Sequence, residues 1–355
     1  MRMVDLIKQF QLRFPDLAKA MRENTHHWDD QNLNPHHIEG CTWAHVCQVA
    51  LMAEQRNASD VVKIACVLHD VAKPMCTTRA EETRRIRMFG HEGAGVFLGL
   101  DFMNTLDISK EDKVEICKLI SLHTYLYQQM RNSEGWQREV AKTFAGEVEF
   151  LKNLIQMNAC DALGRFAEKE DRDLWNDAEN YFSPLVHMTN PVIYPRQTKG
   201  TATILVGPPM SGKSTWIKKN AKDSIVLCRD EVIMELGKGK EYNEAFRSVD
   251  QDEVNRIYDL RKKESLKLGK DLVFDLTHMS EKSRRKSLAG IPKDMKRVAV
   301  VFLTSYNTLK ERNDKRTKEE NKTIPQRVLE MMMGQFSVPL RSEGFDEIVY
   351  VVNGE

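Results

Sequence analysis

Apolar residues recur at steps of three and four through the first half of the chain. The runs are "CTWAHVCQVALMAEQ" (41–55), "VVKIACVLHDVA" (61–72), "HEGAGVFLGLDFMNTL" (91–106), "DKVEICKLISLH" (112–123) and "VEFLKNLIQMNACDALG" (148–164). That period places one apolar stripe on each of a set of helices and predicts a helical region over 1–185. The stretch "SPLVHMTNPVIYPRQTKG" (183–200) breaks the pattern with three prolines and predicts a linker, placed at 186–199. From residue 200 to 355 the texture changes. Short β-rich runs, "TATILVG", "SIVLC", "DLVFDL", "RVAVVFLT" and "EIVYVVN", alternate with helical stretches. Strands separated by helices predict βαβ units and a parallel sheet. The fold class expected is two domains, an all-α one followed by an α/β one.

Composition adds limits. The 355 residues are 30% charged with a net charge of +1, so no basic excess holds nucleic acid nonspecifically, and any such contact is local to a site. Seven cysteines form no CxxC pair and read as reduced thiols. The start, "MRMVDLIKQFQLRFPDL", is amphipathic rather than a signal peptide, and no run approaches the ~20 apolar residues of a membrane span. A soluble, cytoplasmic protein without a membrane partner is expected.

Candidate chemistry in the helical region rests on a set of residues. His45 lies within one apolar helical run, and His69 and Asp70 end another. His91 begins a third, His123 ends a fourth, and Asp161 sits in the fifth. Buried polar groups need partners, and helices converging on one core could bring four imidazoles and two carboxylates to a divalent metal. Lys73 follows Asp70 by three residues, on the same face of a continuing helix, where its ammonium could hold a phosphate oxygen.

The second motif is "GPPMSGKS" (207–214), which fits G-x-x-x-x-G-K-[ST] between a strand and a helix. Such a loop cradles the phosphates of ATP or another NTP, here through Gly207, Ser211, Gly212, Lys213, Ser214 and Thr215. Ser214 would hold Mg²⁺. "SIVLCRDEV" ends a strand with Arg229-Asp230, and a carboxylate at that edge can deprotonate an attacking hydroxyl. "DLVFDLTH" ends another with Asp275, Thr277 and His278. In "LKERNDKRTKEENKTIP" Arg312 and Arg316 share a helix face.

The order His, His-Asp, His, His, Asp in the first region resembles the HD-domain metal-dependent phosphohydrolases. "LHDVAKP" followed by "FGHEGAG" is similar to the HD module attached to tRNA-nucleotidyl-adding enzymes. The resemblance implies two transition metals, such as Mn²⁺, Ni²⁺, Co²⁺ or Fe²⁺, held by His45, His69, Asp70, His91, His123 and Asp161, with Asp70 as bridge. The second region, through "GPPMSGKS", "CRD", "DLTH" and "ERNDKR…TIP", resembles the phage-type polynucleotide 5′-hydroxyl kinases. That resemblance implies Asp230 as general base, Lys213 and Ser214 on the donor, and Arg312 and Arg316 as catalytic lid residues. An arginine that grips the substrate's 3′-phosphate in that family is replaced here by Ile233.

The two modules in this order resemble the HD-Pnk end-healing enzymes over nearly the whole length. "NLNPHHIEGCTWAHV" is similar to the segment that family carries before its first metal histidine, so His37 and Glu39 either face the site or serve a turn. The implied substrates are RNA or DNA ends bearing a 5′-hydroxyl on one side and a 2′,3′-cyclic, 2′- or 3′-phosphate on the other. An RNA ligase would act next. The alternative is a nucleoside or other small-molecule kinase fused to an HD nucleotide phosphohydrolase. A regulatory module that only binds nucleotide is disfavoured, because binding alone has no need of six metal ligands.

Overall fold

The computed structural model describes residues 1–27, 34, 37–82, 85–132, 134–166, 182–188, 199–320 and 322–352. Two compact units comprise Met1–Val192 with Met333–Val338, and Ile193–Met332 with Pro339–Glu355. Most of the expected linker, 189–198, lies outside the described residues.

The first unit is helical: α1 (Met3–Arg13), α2 (Pro15–Glu23), α3 (Thr42–Gln55), α4 (Asp60–Leu68), α5 (Lys73–Cys76), α6 (His91–Met103), α7 (Lys110–Leu122), α8 (Tyr125–Asn132), α9 (Trp136–Thr143) and α10 (Val148–Leu163). The amphipathic start becomes α1, which buries Met3, Leu6 and Phe10. Serines begin two core helices by capping them: Ser59 Oγ accepts from the Val62 N–H at α4, and Ser109 Oγ from that of Asp112 at α7. α6 is buried almost all round.

Three features depart from the sequence expectation. A small antiparallel pair, β1 (Thr78–Arg79) with β2 (Ile86–Arg87), interrupts the helices. The helix carrying the His-Asp pair stops at Leu68, so Asp70 sits in a turn and Lys73 opens a separate one-turn helix. Residues 333–338, placed by sequence in the second domain, pack with the first unit. Phe336 stacks edge-on against Phe97 at 5.2 Å, and Ser121 Oγ accepts the Val338 N–H at 3.2 Å. This packing explains Gly93 in "FGHEGAG". A Cβ there would come within 2.3 Å of the Phe336 carbonyl oxygen.

In the second unit the five β-rich runs become β3 (Thr201–Val206), β4 (Ile225–Cys228), β5 (Leu272–Asp275), β6 (Lys296–Leu303) and β7 (Glu347–Val352). They form one parallel sheet in the order β4-β5-β3-β6-β7. The chain order reverses beside β3, whose neighbours are β5 and β6. In open α/β sheets ligands bind beyond the carboxyl ends of strands at such a switch point. The loop after β3 therefore opens where a ligand is expected. All seven cysteines are free thiols. Among the described residues no helix is long and apolar enough to cross a membrane.

Candidate functional sites

Four histidines of the first unit converge on one point, and local structure sets the way each faces. His69 ends α4, His91 begins α6 and His123 ends α7. In all three, the Nδ1–H donates to the carbonyl three residues upstream: Cys66 at 2.9 Å, Met88 at 2.7 Å and Ile120 at 2.8 Å. A neutral ring so held carries its lone pair on Nε2. His45, one turn into α3, instead has Nδ1 3.1 Å from Glu39 Oε1. The Nε2 atoms then meet in pairs, His45 with His69 at 3.4 Å and His91 with His123 at 3.2 Å. Two facing lone pairs repel unless a proton or a cation lies between them.

The two carboxylates complete the cluster. Asp70 Oδ1 lies 3.4 Å from His91 Nε2 and 3.8 Å from His123 Nε2. Its Oδ2 lies 3.2 Å from His69 Nε2 and 3.6 Å from His45 Nε2. Asp161, from α10, places Oδ1 2.9 Å from His45 Nε2, while Arg165 donates to its Oδ2 at 2.5 Å. Burial opposes charge on both acids. The charges of His69 and Lys73 nevertheless hold Asp70 well below the usual carboxylate range, and Arg165 with His45 does the same for Asp161. Burial likewise opposes charge on His45 and His91, but Asp161 and Glu39 raise the first and Asp70 raises the second. Burial lowers His123 to about 4.

These donors suit divalent metals. His45, His69 and Asp161 form one group and Asp70, His91 and His123 another, the ligating atoms of each lying within 4.8 Å of one another. Imidazole with carboxylate is the donor set of Zn, Fe, Ni and related ions. Each oxygen of Asp70 faces a different histidine pair, the disposition a bridging carboxylate requires. A cation between the Nε2 atoms would relieve the lone-pair opposition.

Lys73, its side chain 10% exposed, places its ammonium 2.6 Å from Asp70 Oδ2. Glu39 has a structural partnership that sequence left open. Its side chain is fully buried, and its Oε1 accepts from His37 Nδ1 at 2.7 Å while lying beside His45 Nδ1. Burial works against the Glu39 charge, but the bonds from His37 and His45 lower its pKa. His26, which nothing local in the sequence singles out, stacks edge-on against His37 at 4.6 Å and bonds Thr42 Oγ1 through Nε2 at 3.0 Å.

In the second unit the phosphate loop follows β3. Gly212 has φ of 104° and Met210 of 63°, and these left-handed residues turn the chain so that successive backbone amides can line one concavity. Gly207 is required by crowding, since a Cβ would lie 2.8 Å from Ser211 Oγ. Lys213 Nζ donates to the carbonyls of Gly207 and Pro208 at 2.9 and 2.7 Å. Burial lowers its pKa to about 8, against the support of Asp275 and Asp230. Ser214 and Thr215 are exposed at the mouth of the loop. From the helix Tyr306–Glu320, Arg312 donates to the Met210 carbonyl at 3.0 Å, and Arg316 Nη1 lies 3.8 Å from Met210 Sδ. Both arginines thus reach the loop.

Asp230 lies just past the end of β4, its side chain 54% exposed. The Tyr242 hydroxyl donates to its Oδ1 at 2.8 Å. Asp275 ends β5; burial raises its pKa, Lys213 opposes that, and Asp230 adds to it. His278 is structural. Its ring is 2% exposed and bonds the Leu205 carbonyl and Ser287 Oγ, both at 2.8 Å. Ile233 is fully buried with Val232, Ala245 and Val254.

A family model described as an AAA domain matches residues 203–339, a stretch that holds the loop, Asp230 and both arginines. Among solved structures the chain is similar to a gluconokinase from Sinorhizobium meliloti 1021, at 16% identity and a TM-score of 0.31, over 45% of this chain and 86% of that one.

Proposed function

We propose that this protein prepares broken nucleic-acid ends for ligation, removing a 2′,3′-cyclic, 2′- or 3′-phosphate at one end and phosphorylating the 5′-hydroxyl at the other. The observation that carries the reading is the presence in one chain of two sites suited to complementary phosphate chemistries. One is a buried cluster of four histidines and two aspartates; the other is a phosphate loop with an exposed aspartate beyond β4, two strands away in the same sheet.

In the kinase unit, Lys213 and the loop amides would hold the donor phosphates of ATP or another NTP, and Ser214 the Mg²⁺ that neutralises them. Arg312 and Arg316 reach the same loop and would meet charge developing on the transferred group. Asp230, its side chain 54% exposed, would take the proton of the attacking hydroxyl. In the helical unit, His45, His69, Asp70, His91, His123 and Asp161 would hold two transition metals. Such metals supply Lewis acidity toward a phosphoryl oxygen and acidify water. Lys73 would help His69 keep Asp70 ionised and would lend its charge to an incoming phosphate.

The test is incubation with a nicked RNA carrying 2′,3′-cyclic phosphate and 5′-hydroxyl ends, with Mg²⁺, Mn²⁺ or Ni²⁺ and each NTP, scoring both ends. Nucleosides and gluconate serve as competing acceptors. Both ends converted supports the reading. Phosphorylation of a nucleoside or sugar with the oligonucleotide untouched would replace it with the small-molecule kinase.

A further inference from the structure

The kinase reading leaves the acceptor's grip unexplained. Ile233 stands where the kinases this unit resembles carry an arginine, and it is fully buried among apolar side chains. No rotation of that side chain brings a donor to Asp230. A grip, if present, comes from elsewhere around the same carboxylate.

Two side chains surround it. The Tyr242 hydroxyl holds Asp230 Oδ1 at 2.8 Å, and Lys322 Nζ lies 3.7 Å from Oδ2. The Lys322 ammonium also sits over the Tyr242 ring, 3.2 Å from its centroid, so the two form one unit beside the base. On the helix that begins with Tyr242, an open groove of about 500 Å³ is lined by Lys240, Glu241, Asn243, Glu244, Arg247, Ser248 and Thr323, with Lys240 paired to Glu244 at 3.5 Å. Thr323 adjoins Lys322 in sequence, and Arg247 is exposed and makes no ion pair among the described residues. Phe246, 44% exposed, lies 6.2 Å from Tyr242 between ring centroids and offers an aromatic face for a base.

We infer that Tyr242 and Lys322 are the acceptor-positioning pair of the kinase. Tyr242 fixes the orientation of Asp230 through Oδ1, which leaves Oδ2 for the hydroxyl. Lys322 contacts the first phosphate of a single-stranded acceptor, whose next nucleotides run along the groove past Arg247. The pair selects a strand carrying phosphates over an uncharged small molecule. This inference rests on the polynucleotide kinase reading.

The experiment uses the full chain with single-stranded 5′-hydroxyl oligonucleotides, and compares Tyr242→Phe, Lys322→Gln and Lys322→Arg with the parent at saturating NTP. Lys322→Gln is expected to raise the acceptor KM on the order of tenfold for every sequence and to leave the donor KM unchanged. It should also reduce the slope of log binding constant against log salt by about 0.7, one phosphate's worth for a single strand. Lys322→Arg should restore both. Tyr242→Phe should lower kcat on the order of tenfold with the acceptor KM unchanged, because only the hold on Asp230 is lost. A merely structural role would move none of the salt slope, the KM–kcat split or the rescue. If the parent phosphorylates the oligonucleotide and the variants match it, or the salt slope of Lys322→Gln equals the parent's, the inference falls alone. If the parent phosphorylates no oligonucleotide, the kinase reading falls and this inference with it.

Discussion

The Nε2 atoms of His91 and His123 lie 3.2 Å apart, although each ring has already committed its Nδ1–H to a backbone carbonyl. Core histidines kept only for packing would be expected to offer a donor to an acceptor. With both rings neutral, two acceptors face one another here, with Asp70 Oδ1 3.4 Å from the first. A cation satisfies all three groups at once.

His91→Ala or His123→Ala should therefore lower the bound transition metal from about two to about one per chain. Phosphate removal should be lost, while thermal stability with one metal stays near the parent's. Metal analysis of purified protein checks this. One equivalent in a fully active parent would return both histidines to the core.

Glu39 should act through His45. A carboxylate on the distal nitrogen of a metal-binding imidazole fixes its tautomer and raises its basicity, and losing such a partner typically costs ~10–100-fold in metal affinity. Glu39→Gln preserves the shape and removes the charge. Competition titration of the metal-free protein with a chelator should show a loss in that range, against an unchanged affinity if Glu39 only closes a turn.

Asp230→Asn should cost ~10²–10⁴ in kcat for phosphorylation at saturating donor, the usual worth of general-base assistance. The donor KM should stay the same, since the donor is held by the loop after β3. Near-normal turnover would move the base to Asp275, the other carboxylate at this sheet edge.

The strands and the phosphate loop were legible because they are local. Five β-rich runs and a glycine-rich turn announce themselves within a few residues, and β3 to β7 occupy those runs. The helical periodicity was equally local. Partnerships made across the fold were not. Nothing near Glu39 says that His45, on the next helix, will present Nδ1 to it. Nothing near Tyr242 says that its hydroxyl will reach back twelve residues to Asp230. That the helix ends at Leu68 and leaves Asp70 in a turn was not legible, although a lysine three residues on meets the carboxylate either way. Residues 333–338 carry no boundary signal, yet Phe336 and Val338 bury themselves in the helical unit.

His278 makes a pH prediction with a definite sign. Burial first, then the charges of Arg284, Lys213 and Lys262, lower its pKa from 6.5 to about 4, against a hydrogen bond from the ring to Leu205. Between those values the unfolded chain binds a proton that the folded one refuses. Stability is thus lost as pH falls through that window, at up to ~1.4 kcal/mol per pH unit and roughly 3 kcal/mol in all. His278→Asn suits the φ of 45° at this position. It should be less stable at pH 7 but show a shallower decline in Tm from pH 7 to pH 4.5. A decline parallel to the parent's would contradict the assignment.

The most direct measurement of the central claim is a crossed assay on one broken RNA, with Asp70→Ala and Lys213→Ala beside the parent and both ends scored in the same reaction. Asp70→Ala should leave the 2′,3′-phosphate in place and still phosphorylate the 5′-hydroxyl. Lys213→Ala should do the reverse. Loss of both activities in either folded variant would contradict two separate phosphate chemistries in this chain.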